Sequence, residues 1–98
     1  MVEGNEKTHP RVVFTRDGEP PLQERLRKEL IKPAVEAVTL DLGEVTYLDP
    51  RSLTVLAAAG GQARTAGKPL FIDRVSIPVY KALQLAKLAT LFRRVHNG

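Results

Sequence analysis

Residues 37–66 read AVTLDLGEVTYLDPRSLTVLAAAGGQARTA, and a change of period inside them decides the fold. In the first half Val38, Leu40 and Leu42 alternate with Thr39 and Asp41, and Val45, Tyr47 and Leu48 follow a Gly-Glu step. β-Branched and aromatic residues in so short a run favour a buried strand. Asp49-Pro50 then switches the period. An aspartate before a helix accepts orphan backbone N–H groups, and a proline at the first helical position loses nothing by lacking one. From Pro50 the apolar residues recur at helical spacing: Leu53, Leu56, Ala57, Gly60 and Ala63. The pattern predicts a strand ending at Asp49 and a helix beginning at Pro50.

Working outward, Arg11 to Arg16 (RVVFTR) reads as a short strand stopped by an Asp17-Gly18 turn. Glu19-Pro20-Pro21 leads into a helix with Leu22, Leu26 and Leu30 on one face and Gln23, Glu24, Arg25, Arg27 and Lys28 in solvent. Pro33 ends that helix near Ile31. On the other side Gly67 closes the central helix. Pro69 to Val75 (PLFIDRV) is a further buried strand. Ser76 caps a helix over Ile77–Leu85 with Pro78 in its first turn. Leu88 to Phe92 is a last apolar turn, and Arg93 to Gly98 has the composition of a marginal edge strand. Met1 to Pro10 carries no periodicity and reads as a flexible lead-in, leaving residues 11–98 as one domain. Strands alternating with helices of this length predict an α/β protein. Its βαβ crossovers give a mostly parallel or mixed sheet of four or five strands.

Composition narrows the function. At 98 residues, 43% hydrophobic and 27% charged, the chain has the make-up of a soluble globule with one core. It contains no cysteine, which excludes disulfides and thiolate metal sites. No apolar run approaches the ~18 residues of a membrane helix, and no signal-peptide pattern opens the chain, so a cytoplasmic protein without membrane insertion is expected. A net charge of +4 leans toward anionic partners, but 11 acidic residues are interspersed with the 15 basic ones. A basic nucleic-acid-binding module would show a Lys/Arg stripe with exposed aromatics. The five aromatics here look mainly like core residues instead.

Few chemical groups stand out. His9 and His96 sit alone in the terminal segments and read as surface residues. Gly60-Gly61 is followed by no G-K-(S/T), so it is a small-residue packing site rather than a phosphate loop. Asp41, Asp49 and Asp73 lie at or near strand ends. Three carboxylates there raise a magnesium site, against the simpler reading that they cap helices and turns. No Ser, His and Asp constellation is visible, and neither an enzyme nor a cofactor is expected.

The central helix is more informative. Between Arg51 and Arg64 it holds no charge. Steps of 100° put Leu53, Leu56, Ala57, Gly60 and Ala63 on one face and Arg51, Val55, Ala58, Ala59 and Gln62 on the other, with Thr54 on the flank. A helix apolar most of the way round is covered on two sides. Its outer face is therefore expected to dock another protein, whose backbone small residues allow to approach closely.

The segment LDLGEVTYLDPRSLTVL resembles the signature of the STAS domain, the sulfate-transporter and anti-sigma-factor-antagonist module. That signature is D-L-S-x-V-x-x-(L/I/V/M)-D followed by S-(S/T)-G at the head of a helix. Asp41, Leu42, Val45, Leu48, Asp49 and Leu53 match it. Gly18 fits the glycine closing the preceding strand, Ala66-Gly67-Lys68 fits the helix-to-strand turn, and Leu83 to Leu88 resembles an L-x-L-x-G-L run with Lys87 in the glycine place. The resemblance spans Arg11 to Val95 and implies a STAS-like fold and a non-enzymatic switch module. It implies a partner surface at Asp49, Pro50, Arg51, Ser52, Thr54, Val55, Ala58 and Ala59. The expected partner is an anti-sigma factor or kinase-like ATPase. In such antagonists the Ser or Thr after the aspartate is phosphorylated. Here that place is Pro50, which has no hydroxyl, leaving Ser52 and Thr54 as weak substitutes. Other relatives serve as small cytoplasmic subunits of lipid-trafficking ABC transporters and bind the transporter ATPase. That is the alternative, and a homodimer is open under either.

Overall fold

The computed structural model describes residues 8–15 and 21–94. Strand and helix alternate along them: β1 (Arg11–Val13), α1 (Leu22–Leu30), β2 (Val38–Asp41), α2 (Pro50–Ala66), β3 (Leu70–Asp73), α3 (Ile77–Leu85), a 3₁₀ turn (Ala89–Leu91) and β4 (Arg93–Arg94). The described strands pair in the order β1-β2-β3-β4, every pair parallel. The fold is the expected α/β one, and of the parallel and mixed alternatives the described sheet takes the first.

Strand alternation sorts the sheet into two faces. Val12, Leu40, Leu70 and Ile72 are buried, and they share one core with Leu22, Leu26 and Leu30 of α1, Leu56, Ala59 and Ala63 of α2, and Val79 and Leu83 of α3. Each such leucine contributes roughly 1.5–3 kcal/mol by leaving water. The alternate residues Arg11, Val13, Thr39 and Phe71 are exposed or half-buried. Helices therefore pack on one face, as crossovers of constant hand between neighbouring strands require.

Local chemistry sets the element ends. Asp49 Oδ1 accepts from the Ser52 N–H at 2.8 Å, and Ser76 Oγ accepts from the Val79 N–H at 3.3 Å. Gly67 sits at φ 71°, closing α2 with bonds from the Gly67 and Lys68 N–H groups to Arg64 O and Ala63 O. Lys68 Nζ then donates to Leu30 O and Lys32 O, both at 2.8 Å, satisfying carbonyls at the end of α1.

Three expectations need correction. β2 stops at Asp41, not Asp49. Asp41 Oδ1 accepts from the Gly43 N–H at 2.8 Å, and the Val45 N–H donates to Leu42 O at 3.1 Å, so a turn ends the strand. Residues 42–49 form a loop whose Leu42 and Val45 are buried and whose Tyr47 is 52% exposed. β3 is likewise shorter than 69–75. Thr8 to Pro10, expected within the flexible lead-in, are held by the sheet: Thr8 N–H donates to Ala34 O at 2.8 Å and Thr8 O accepts from Glu36 N–H at 2.9 Å. The Asp17-Gly18 turn, residues 1–7 and residues 95–98, His96 included, lie outside the described residues.

Candidate functional site

At the C-terminal edge of the sheet the β2–α2 loop and the head of α2 stand beside the β3–α3 connection. Of the residues expected to meet a partner, Pro50, Arg51, Thr54 and Ala58 are exposed, and Asp49 and Val55 are half-buried. Thr54 Oγ1 donates to Pro50 O at 3.0 Å, a back-bond within the first turns. With Gly61 and Thr65, also exposed, they make one stripe along α2.

Two residues expected on that stripe are buried instead. Ser52 is 4% exposed and Ala59 is 0% exposed. The inner face of α2 runs through Ser52, Leu56, Ala59, Gly60 and Ala63. At 100° per residue this is a turn of about 50° from the face expected from hydropathy. The cause is α1, which packs along α2; Gln62 Nε2 donates to Gln23 O at 3.1 Å, and Val55 packs against the core. The burial of Ser52 also removes one of the two substitute hydroxyls from the surface.

The three aspartates have separate roles. Asp49 caps α2. Asp41 and Asp73 are register partners at the ends of β2 and β3. Arg11 bridges them, its Nε 3.2 Å from Asp41 Oδ2 and its second guanidinium nitrogen donating to Asp73 Oδ2. Arg74 Nε lies 3.2 Å from Asp41 Oδ1. The hydrogen bond from Arg11 holds the Asp73 carboxyl below the usual carboxylate range, with the Arg74 N–H adding to it. The Arg11 guanidinium is raised in turn, first by Asp73 and then by Asp41. The acceptors of Asp41 and Asp73 bond arginine side chains, and no group of three metal-ligating residues occurs among the described residues.

Sequence reasoning missed two exposed apolar residues at this edge. Ile77 is 75% exposed, and Tyr47 is 52% exposed. Ile77 was findable: it lies two residues before Val79, and so nearly opposite the Val79–Leu83 face. Tyr47 was not, because the turn at Gly43-Glu44 breaks the alternation that assigned it to the core. His9 is a surface residue as expected, with Nε2 3.0 Å from Glu36 Oε1. No helix among the described residues is long and apolar enough to cross a membrane.

A family model described as "Mlab, STAS domain" matches residues 12–93, from the middle of β1 to the start of β4. No curated protein matches the chain.

Proposed function

The chain belongs to the STAS domain family, and from that premise we propose that it is a non-enzymatic cytoplasmic docking module without the usual phosphoswitch. Its partner is a regulatory protein, an anti-sigma factor or kinase-like ATPase, bound through the head and outer stripe of α2. One observation carries this reading: the exposed positions Thr54, Ala58, Gly61 and Thr65 are uncharged, whereas a solvated helix face carries Lys or Glu. Arg51 supplies an exposed positive charge at the head, beside a helix N-terminus whose dipole is also positive. That end suits an acidic patch.

A second reading, a small subunit bound to the ATPase of a lipid-trafficking ABC transporter, is favoured by one feature. The helix head presents no accessible hydroxyl at the family's phosphorylation place, since Pro50 has none and Ser52 is buried.

The test is calorimetric titration of the chain with purified ATPases of both kinds. Ala58→Glu is expected to abolish binding, because an unpaired charge in a dry contact costs several kcal/mol. Its circular dichroism should stay native, since Ala58 is exposed. Unchanged affinity in a folded Ala58→Glu protein would remove α2 from the interface.

A further inference from the structure

Charge is divided unevenly along the chain. Residues 74–98 carry five basic residues and no acidic one, whereas residues 1–73 carry ten basic and eleven acidic. The whole positive excess therefore belongs to the last quarter of the sequence, and α3 is the helix within it. Val79 and Leu83 bury one face of α3 in the core. At 100° per residue Ile77, Lys81 and Leu85 form a row on the opposite face, with Gln84 beside it. Ile77 is 75% exposed and Leu85 is 85% exposed, the highest values among the large apolar residues described. They stand about 12 Å apart along the helix, close enough to meet one surface together. Lys81 between them is exposed and enters no ion pair among the described residues.

We propose that this face of α3 rests on an anionic lipid surface, with Ile77 and Leu85 in the headgroup layer and Lys81 against the phosphates. Exposed aliphatic side chains accompanied by lysine are what interfacial helices present to a bilayer. Lysine sets the depth here, because its four-carbon stem lies along apolar groups while the ammonium stays with the phosphates. A protein partner fits the row less well. The core of a protein interface is depleted of lysine and anchored by aromatic residues and arginine, whereas this row has lysine at its centre and neither kind of anchor. Anionic headgroups complement a basic segment, and each Lys or Arg close to the surface adds to the attraction. The contact is peripheral, and none of the described helices is long and apolar enough to cross a membrane. This face is separate from the partner stripe on α2 and does not rest on it.

Co-sedimentation of the full-length chain with lipid vesicles tests this. Binding is expected to vesicles of equal parts phosphatidylglycerol and phosphatidylcholine, and not to phosphatidylcholine alone. Ile77→Gln and Leu85→Gln, each checked for native circular dichroism, should weaken binding about tenfold apiece. Lys81→Gln should weaken it about fivefold. Two controls should leave it unchanged: Lys28→Gln, an equal charge loss on exposed α1, and Ile31→Gln, at an aliphatic residue 73% exposed at the end of α1. Absence of binding to the anionic vesicles would overturn the proposal. So would binding that falls equally in Lys28→Gln and Lys81→Gln and ignores Leu85→Gln, which marks adhesion by net charge alone. A dimer in sedimentation analysis that Leu85→Gln dissociates would assign the face to a second copy instead and overturn it too.

Discussion

Lys87 adopts φ 61°, in the left-handed region that L-residues other than glycine rarely enter. It sits just past α3, where the Lys87 N–H donates to Gln84 O at 3.0 Å and the Leu88 N–H to Leu83 O at 2.8 Å. That paired closure is what glycine ordinarily allows, and Lys87 stands where the family's L-x-L-x-G-L run has its glycine. A left-handed residue with a Cβ costs roughly 1–2 kcal/mol, while glycine adds roughly 0.5–1 kcal/mol of unfolded-state entropy. Lys87→Gly should therefore stabilise the protein by about 0.5–1 kcal/mol, read as a higher urea midpoint at unchanged slope. Asp49→Ala should act oppositely, lowering stability by about 1 kcal/mol through loss of the bond to the Ser52 N–H. Both caps, Asp49-Pro50 and Ser76-Ile77-Pro78, were legible in the sequence because capping is chemistry between residues three apart. The strand end at Asp41 was not. It rests on a turn at Gly43, whose N–H the Asp41 side chain takes and across which Arg74 lies to reach Asp41.

At the scale of the element, α2 shows where hydropathy runs out. Ala57, Ala58 and Ala59 are equally apolar, so no pattern of side chains fixes the phase of the helix. Packing against α1 fixes it, burying Ala59 and leaving Ala58 in solvent. The part of the docking stripe legible beforehand was its head, anchored by the Asp49 cap; the part misplaced was Ser52 and Ala59, which only the tertiary neighbour sorts. Gly60 and Gly61 make the same point, being identical in sequence and opposite in surroundings. A Cβ at Gly61 meets nothing within 4 Å, whereas at Gly60 it comes within 2.8 Å of Leu91 Cδ1 and 3.0 Å of Leu91 Cβ. Glycine-to-alanine gains the same helix propensity, about 1 kcal/mol, at both sites. Gly61→Ala should show that gain in full. Gly60→Ala should fall below it by the overpacking cost, about 1–3 kcal/mol. The difference between the two midpoints isolates the clash, and adding Leu91→Ala to both backgrounds should narrow it by removing the Cδ1 and Cγ contacts while the Cβ contact stays. A gap that Leu91→Ala leaves unchanged would place the obstruction elsewhere.

For the molecule as a whole, the decisive feature is a parallel sheet with helices on one face. Parallel sheets are ordinarily covered on both. On the open face Arg11 ties β1 to the ends of β2 and β3 through Asp41 and Asp73, and Arg74 closes the network from beyond β3. Three strands distant in sequence are thus joined by charge where none of the described helices packs over them. Such a network makes stability depend on acid. Asp73 is held below its ordinary value of 3.8, chiefly by Arg11. A carboxyl depressed in the folded state stabilises it fully above the unfolded value, and that contribution disappears as pH falls through the lowered folded value. The window therefore opens near pH 3.8 and extends downward. Arg11 is raised, so it stays charged throughout this window and adds no titration of its own. Arg11→Met removes the first cause of the Asp73 shift while keeping an aliphatic stem beside β2. Its stability should consequently fall less steeply with acid than that of the parent over that range, even though it starts lower at neutral pH. Urea midpoints measured at steps from pH 6 to pH 2.5 on both proteins give the comparison, and carboxylates that do not touch Arg11 cancel in the difference. Parallel curves would mean that Asp73 is held down by something other than Arg11, and the bridge would then carry no part of the acid response.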